Sequence, residues 1–180
     1  MKSISEVTSL ELVWTQSGCR NLEHELRAAG EVVAMLRWRG DSFALAETAD
    51  GLWSIRRPVL RRSPVSIRAV ESSGDIATFG SGWTGGGTLE TSRERRFAWS
   101  AVNYFWRSRW VWRGGDGTPL VHFESRQGLV KVEGRMRIEG AARDLPELDL
   151  LVTLGWYLTV MRAKDTTTDA VAATAGTAGS

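Results

Sequence analysis

The sequence has little cysteine, histidine and lysine: one cysteine, two histidines and three lysines in 180 residues. The lone Cys19 excludes an internal disulfide and fits a reducing compartment. Cys19, His24 and His122 are too few for a structural zinc site. The N-terminus, Met-Lys-Ser-Ile-Ser-Glu, lacks the apolar core of a secretory signal. These absences predict a cytoplasmic protein that has no disulfide and holds no metal.

Long apolar runs are also scarce, and the longest uncharged one lies near the C-terminus. Residues 150–161 contain no charge and no polar face. A membrane span needs about 20 apolar residues, whereas about 10–14 are typical of a buried core helix, so the length favours a core helix over a membrane anchor. Asp144, Pro146 and Glu147 resemble a capping box, which predicts a helix over about 144–163. A helix that is apolar on every side must be enclosed by the rest of the chain.

The residues before this helix alternate between apolar and polar in short segments, which is the period of half-buried strands. Turn signals such as Asp50-Gly51 separate about twelve such segments. In the segment 129–139, Gly134 replaces an inward side chain, which predicts either a bend in the strand or a close approach of another group to the backbone. In the segment 31–38, the alternation places Val33 and Met35 on the outer face.

The predicted fold is therefore mainly β: an antiparallel barrel of about twelve strands closed around a hydrophobic C-terminal helix. About eight strands already fill a barrel with side chains, so twelve leave room for a helix. We expect a leader at 1–9, one barrel domain at 10–163 and a tail at 164–180. The tail is small and low in complexity, which predicts disorder.

This order of elements, together with the helix sequence Leu148-Asp-Leu-Leu-Val-Thr-Leu-Gly-Trp-Tyr-Leu-Thr-Val-Met161, resembles the tubby-like C-terminal superfamily. That grouping includes tubby proteins, LURP-one-related proteins and phospholipid scramblases, and the resemblance covers residues of about 10–163. It implies the barrel fold and binding of an anionic phospholipid. The clustered cysteines and acidic calcium segment of scramblases are missing, which argues against scramblase activity.

A basic connection between two predicted strands is the main candidate site. It carries Arg56, Arg57, Arg61 and Arg62, with Arg68 on the next strand. Guanidinium groups can bind phosphate in a bidentate manner, so the connection can hold an anionic headgroup. A solvated arginine loop is the alternative. A secondary basic face comprises Arg107, Arg109 and Arg113. The net charge of +2 is too small to predict nucleic-acid binding.

No enzyme or cofactor motif is complete. Residues 80–85 fit G-x-G-x-x-G, but no helix is predicted after them, so we expect no bound nucleotide and no cofactor. Neither histidine has a nucleophile and an orienting third group nearby in the pattern. We therefore predict a non-enzymatic module that binds an anionic phospholipid headgroup or phosphate at a membrane surface. The alternatives are a protein-interaction scaffold that uses Val33 and Met35, and a carrier of a small apolar ligand beside the helix.

Overall fold

The computed structural model describes residues 1–7, 11–17, 22–58, 63–82, 86–102, 108–127 and 132–176. Twelve strands precede one long helix, as the alternation predicts. The strands are β1 (Leu12–Ser17), β2 (Glu23–Ala28), β3 (Glu31–Trp38), β4 (Phe43–Thr48), β5 (Leu52–Arg56), β6 (Val65–Ala69), β7 (Ala77–Ser81), β8 (Gly87–Thr91), β9 (Arg96–Val102), β10 (Ser108–Arg113), β11 (Pro119–Gln127) and β12 (Val132–Ile138). The helix α1 spans Leu148–Gly176.

The strands form a closed antiparallel barrel in which each strand pairs with its sequence neighbours. Closure comes from β1 and β12, where Leu12 lies opposite Met136 and Trp14 opposite Gly134. After β7, the chain continues into strand β8 rather than a helix, so the glycine motif lacks the context that nucleotide binding requires. The prediction of a mainly β, twelve-stranded barrel is confirmed.

One strand departs from simple alternation. The register between β2 and β3 shifts, so that Leu26 lies opposite Ala34 and Arg27 opposite Val32. Val33 is the extra residue of this bulge, and both Val33 and Ala34 are buried. The prediction that Val33 faces outward is wrong, because a one-residue bulge reverses the facing of the residues on one side of it.

The helix is enclosed by the barrel, as the lack of a polar face predicts. Trp156 stacks on Trp14 of β1 with ring centroids 5.5 Å apart, and Tyr157 stacks on Trp38 of β3 at 4.9 Å. On the opposite wall, Trp112 of β10 donates a hydrogen bond to the Leu151 carbonyl at 2.8 Å. Among the described residues, no helix has the length and apolar character needed to cross a membrane.

The helix begins later and ends later than the sequence predicts. Residues 140–142 form a 3-10 turn, and α1 begins at Leu148 rather than near Asp144. Glu147 does not form a capping box: its Oε2 accepts a hydrogen bond from Arg95, and its Oε1 has no partner in the described part of the chain. The helix continues past residue 163 to Gly176. Residues 177–180 lie outside the described residues, so disorder there stays a prediction.

The barrel has two ends, which we name by the helix. The start rim is the end where α1 begins; it holds the turns after β2, β4, β6, β8 and β10 and the segment between β12 and α1. The exit rim is the end where α1 leaves; strands β1, β3, β5, β7, β9 and β11 end there. The leader belongs to the core at the start rim, since Ile4 and Val7 are buried.

Candidate functional site

The two rims carry opposite excess charge. Acidic side chains predominate in the start-rim segments, with Glu6, Asp50, Glu71, Asp75, Glu94, Asp116, Glu139, Asp144 and Glu147 against Lys2, Arg93, Arg95 and Arg143. Basic residues predominate among the described residues of the exit rim and the adjoining part of α1, with Arg39, Arg57, Arg162 and Lys164 against Asp41 and Asp165. The exit rim is therefore the end of the barrel at which an anion is attracted.

Three side chains form a row on the outer face of this rim. Phe43 lies opposite Arg56 in the β4–β5 ladder, and the Phe43 carbonyl accepts a hydrogen bond from the Arg39 backbone at 2.8 Å. The Arg56 guanidinium lies over the Phe43 ring, 5.4 Å from its centroid. Arg39 and Arg56 are both exposed. Since neighbouring strands are about 4.8 Å apart, the two arginine backbones lie about 10 Å apart, on either side of Phe43.

Arg57 occupies the inner edge of the same rim and binds the helix. Its guanidinium donates two hydrogen bonds to Asp165, at 2.7 and 3.0 Å. This bond is the largest cause of the raised pKa of Arg57. Nearby, the Tyr157 hydroxyl donates to the Ser42 carbonyl at 2.7 Å. Arg57 therefore joins the barrel wall to the exit of α1, and its charge is largely compensated.

Two further cations reach the rim from the helix. The Lys164 ammonium lies 4.0 Å from the centroid of Trp38, and the Arg162 guanidinium lies 4.6 Å from the centroid of Trp110. Burial is the main cause that lowers the pKa of Lys164. Both contacts have the geometry of cation–π interactions, which hold the side chains against the aromatic wall of the lumen.

The structure separates several of the predicted site residues. Arg68 is ion-paired with Asp75, and its position on β6 is diagonal to Arg56, because Arg56 lies opposite Ser66. In the secondary face, Arg109 is paired with Glu124 at 3.2 Å, whereas Arg113 donates to the Gly117 carbonyl at the start rim. Arg61, Arg62 and Arg107 lie outside the described residues, so their roles stay predictions.

Sequence reasoning missed Arg39, Phe43, Arg162 and Lys164 as members of this rim. A signal for the first two was present, because connections after odd-numbered strands of an up-and-down barrel all reach the same end. No such signal existed for the helix residues. Their position depends on the length and direction of α1 inside the lumen.

The two histidines have structural surroundings. His24 is buried beside Trp156, with ring centroids 5.8 Å apart, and burial lowers its pKa to about 4. It is therefore neutral at pH 7. His122 lies on the outer wall, where its Nε2 is 3.1 Å from Glu139. Burial is the largest cause of its lowered pKa, against an opposing effect of Glu139.

Comparisons with protein-family models, with curated proteins and with solved structures find no match to this chain.

Proposed function

We propose that this chain is a non-enzymatic binding module whose exit rim binds the phosphates of an anionic phospholipid surface. The observation that carries the proposal is the separation of charge along the barrel axis, with basic residues gathered where α1 leaves. Such a dipole attracts and orients the protein at a negative surface. On this proposal the protein is peripheral to a membrane.

The outer row supplies the contacts for headgroups. Arg39 and Arg56 are exposed on either side of Phe43. Each basic residue near an anionic surface contributes about 1 kcal/mol, and guanidinium groups can bind phosphate oxygens in pairs. Phe43 is half-buried between them and supplies apolar contact area at the same level. In this arrangement Arg57 keeps its structural bond to Asp165 and is not required for binding.

We further propose membership of the tubby-like C-terminal superfamily. The support is architectural: twelve antiparallel strands in sequence order, closed around a C-terminal helix that is apolar on every side. The scaffold alternative loses part of its support, because Val33 is buried in the core.

The test is co-sedimentation with vesicles that contain phosphatidylserine or a phosphoinositide. The double variant Arg39→Glu/Arg56→Glu should lower vesicle affinity at least about tenfold, since each reversal removes attraction and adds repulsion. Raising the salt from 0.1 M to 1 M should have the same effect, because the Debye length falls from about 10 Å to about 3 Å. Competition by a soluble inositol phosphate distinguishes a headgroup pocket from a general response to surface charge.

The matched control is Arg135→Glu/Arg137→Glu on β12, which makes the same change of net charge on the barrel wall. Both control side chains are exposed and paired with surface carboxylates, those of Glu11 and Glu139. The control should retain most of its vesicle binding. Equal losses in the two variants would contradict a specific role of the exit rim, and wild-type protein that ignores acidic vesicles at low salt would contradict the proposal itself.

A further inference from the structure

His24 lies in the contact between the helix and the barrel wall, near the exit rim. Its side chain is 1% exposed and meets the Trp156 ring of α1 edge-on, with ring centroids 5.8 Å apart. Its neighbours across the ladders are Gln16 of β1 and Leu36 of β3. Within the described part of the chain, its Nδ1 atom has no hydrogen-bond partner. These surroundings favour the neutral imidazole, because a buried charge without a partner is costly.

The ring that His24 touches is the one by which α1 packs against two other strands. Trp156 stacks on Trp14 of β1, and it lies so close to the backbone of β12 that a Cβ atom on Gly134 would be 2.3 Å from it. A change of charge at His24 therefore acts on the central packing contact between the helix and this side of the barrel.

The charge that α1 presents to this site is a cation. The Lys164 ammonium lies 4.0 Å from the centroid of Trp38, at the same end of the lumen. Burial is the largest cause that lowers the pKa of His24 to about 4, and the positive charge of Lys164 adds to it. Protonation of His24 therefore both buries a charge and repels the helix at the point where it leaves the barrel.

The other described elements around His24 present no charge that would stabilise an imidazolium. The residues opposite it, Gln16 and Leu36, are uncharged. On β2 itself, the neighbouring carboxylates lie on the outer face and are paired there, Glu23 with Arg37 and Glu25 with Arg27.

The exit-rim ends of β1 and β2 are less tightly packed than their start-rim ends. Leu22, just before β2, is 43% exposed, and Ser17 at the end of β1 is half-buried. Leu12 and Ala28, at the other ends of the same two strands, are buried. A charged imidazole can therefore reach water when the exit-rim ends open alone, while the start rim stays folded.

We propose that His24 is an acid-sensitive switch in the seating of α1: its protonation releases the exit-rim ends of β1, β2 and β3 from the helix. The stability that the neutral imidazole provides is complete above about pH 6.5, the ordinary pKa of histidine. It is lost as the pH falls from there toward about 4, the pKa of His24 in the folded chain. The switch operates without a membrane, so it can hold or fail independently of the proposed function.

One further buried group titrates in the same range of pH. Asp149 responds with the opposite sign, because burial raises its pKa to about 6 and its protonation favours the folded state. The contribution of His24 is therefore measured as the difference between the wild type and a variant at position 24, in which the effect of Asp149 cancels.

The test compares the wild type with His24→Phe, whose ring is similar in shape and uncharged at every pH. Between pH 7.5 and pH 4.5, the equilibrium constant for urea unfolding should rise at least about tenfold more in the wild type than in the variant. His24→Gln is a second neutral variant should His24→Phe fail to fold. His122→Gln is the matched control, because it removes the histidine of the outer wall and should keep most of the wild-type response.

Hydrogen–deuterium exchange on the full chain tests whether the release is local. After correction for the intrinsic pH dependence of exchange, acid should speed exchange in segments 22–25, 36–39 and 160–165 of the wild type but not of His24→Phe. Segments 46–53 and 148–153, at the start rim, should change little. NMR titration of the imidazole resonances of the wild type, assigned with His122→Gln, should show His24 still neutral at pH 5.5.

Three results overturn the proposal. The first is a His24 imidazole that titrates at pH 6.5 or above in the folded chain. The second is an equal response to acid in the wild type and in the folded variant at position 24. The third is an equal rise in exchange at both rims, because that pattern is global unfolding rather than release of the exit-rim ends.

Discussion

At the scale of single residues, the contact between Gly134 and the helix leaves no space for a side chain. A Cβ atom on Gly134 would lie 2.3 Å from Cζ3 of Trp156, and Trp156 itself stacks on Trp14 across the ladder from Gly134. The sequence predicted a bend or a close approach at this glycine, because it interrupts an inward-facing series, and the structure has the close approach. The identity of the approaching group could not be predicted, since Trp156 reaches it through the tertiary fold.

Gly134→Ala should destabilise the protein by about 1–3 kcal/mol, because the new methyl group displaces a buried ring that is stacked on Trp14. Thermal or urea unfolding measures the difference in the free energy of unfolding. Gly80→Ala is the matched control: Gly80 is also in a strand, and a Cβ there meets nothing within 4 Å. Equal stability of the two variants would show that Trp156 does not lie against β12.

At the scale of elements, α1 shows what an apolar pattern can and cannot predict. Its enclosure followed from the missing polar face, and Leu154, in the middle of the apolar run, is fully buried. Its bounds did not follow. The prediction of a capping box at Asp144 was wrong, because Glu147 accepts a hydrogen bond from Arg95 instead. The polar segment after residue 163 contains no strong stop signal, so the helix continues through it.

Leu154→Asp should prevent folding, since an unpaired buried charge costs several kcal/mol and a domain has about 5–15 kcal/mol in total. Circular dichroism and size-exclusion chromatography measure the loss of the native state. Thr166→Asp introduces the same side chain at an exposed position of the same helix and should fold normally. A folded Leu154→Asp variant with wild-type stability would contradict the enclosed position of α1.

At the scale of the whole molecule, the number of strands and the closure of the barrel could be predicted from the sequence. Which charged residues share a rim of the barrel could not. The arginines near residue 60 were visible as a cluster in sequence. Arg39, Arg162 and Lys164 are distant in sequence from Arg57 and share its rim only because hairpins alternate between the rims and α1 traverses the lumen. A cleft at the start rim was missed for the same reason, because its lining combines the turn at Asp50 with the start of α1.

Hydrogen–deuterium exchange with and without anionic vesicles at low salt is the most direct test of the central claim, which is that the exit rim faces the anionic surface. We predict slower exchange on vesicle binding in the exit-rim segments that include residues 39–43 and 162–166. Exchange in the start-rim segments 92–95 and 139–147 should be unchanged. Slower exchange at the start rim, or an equal change at both rims, would contradict the account.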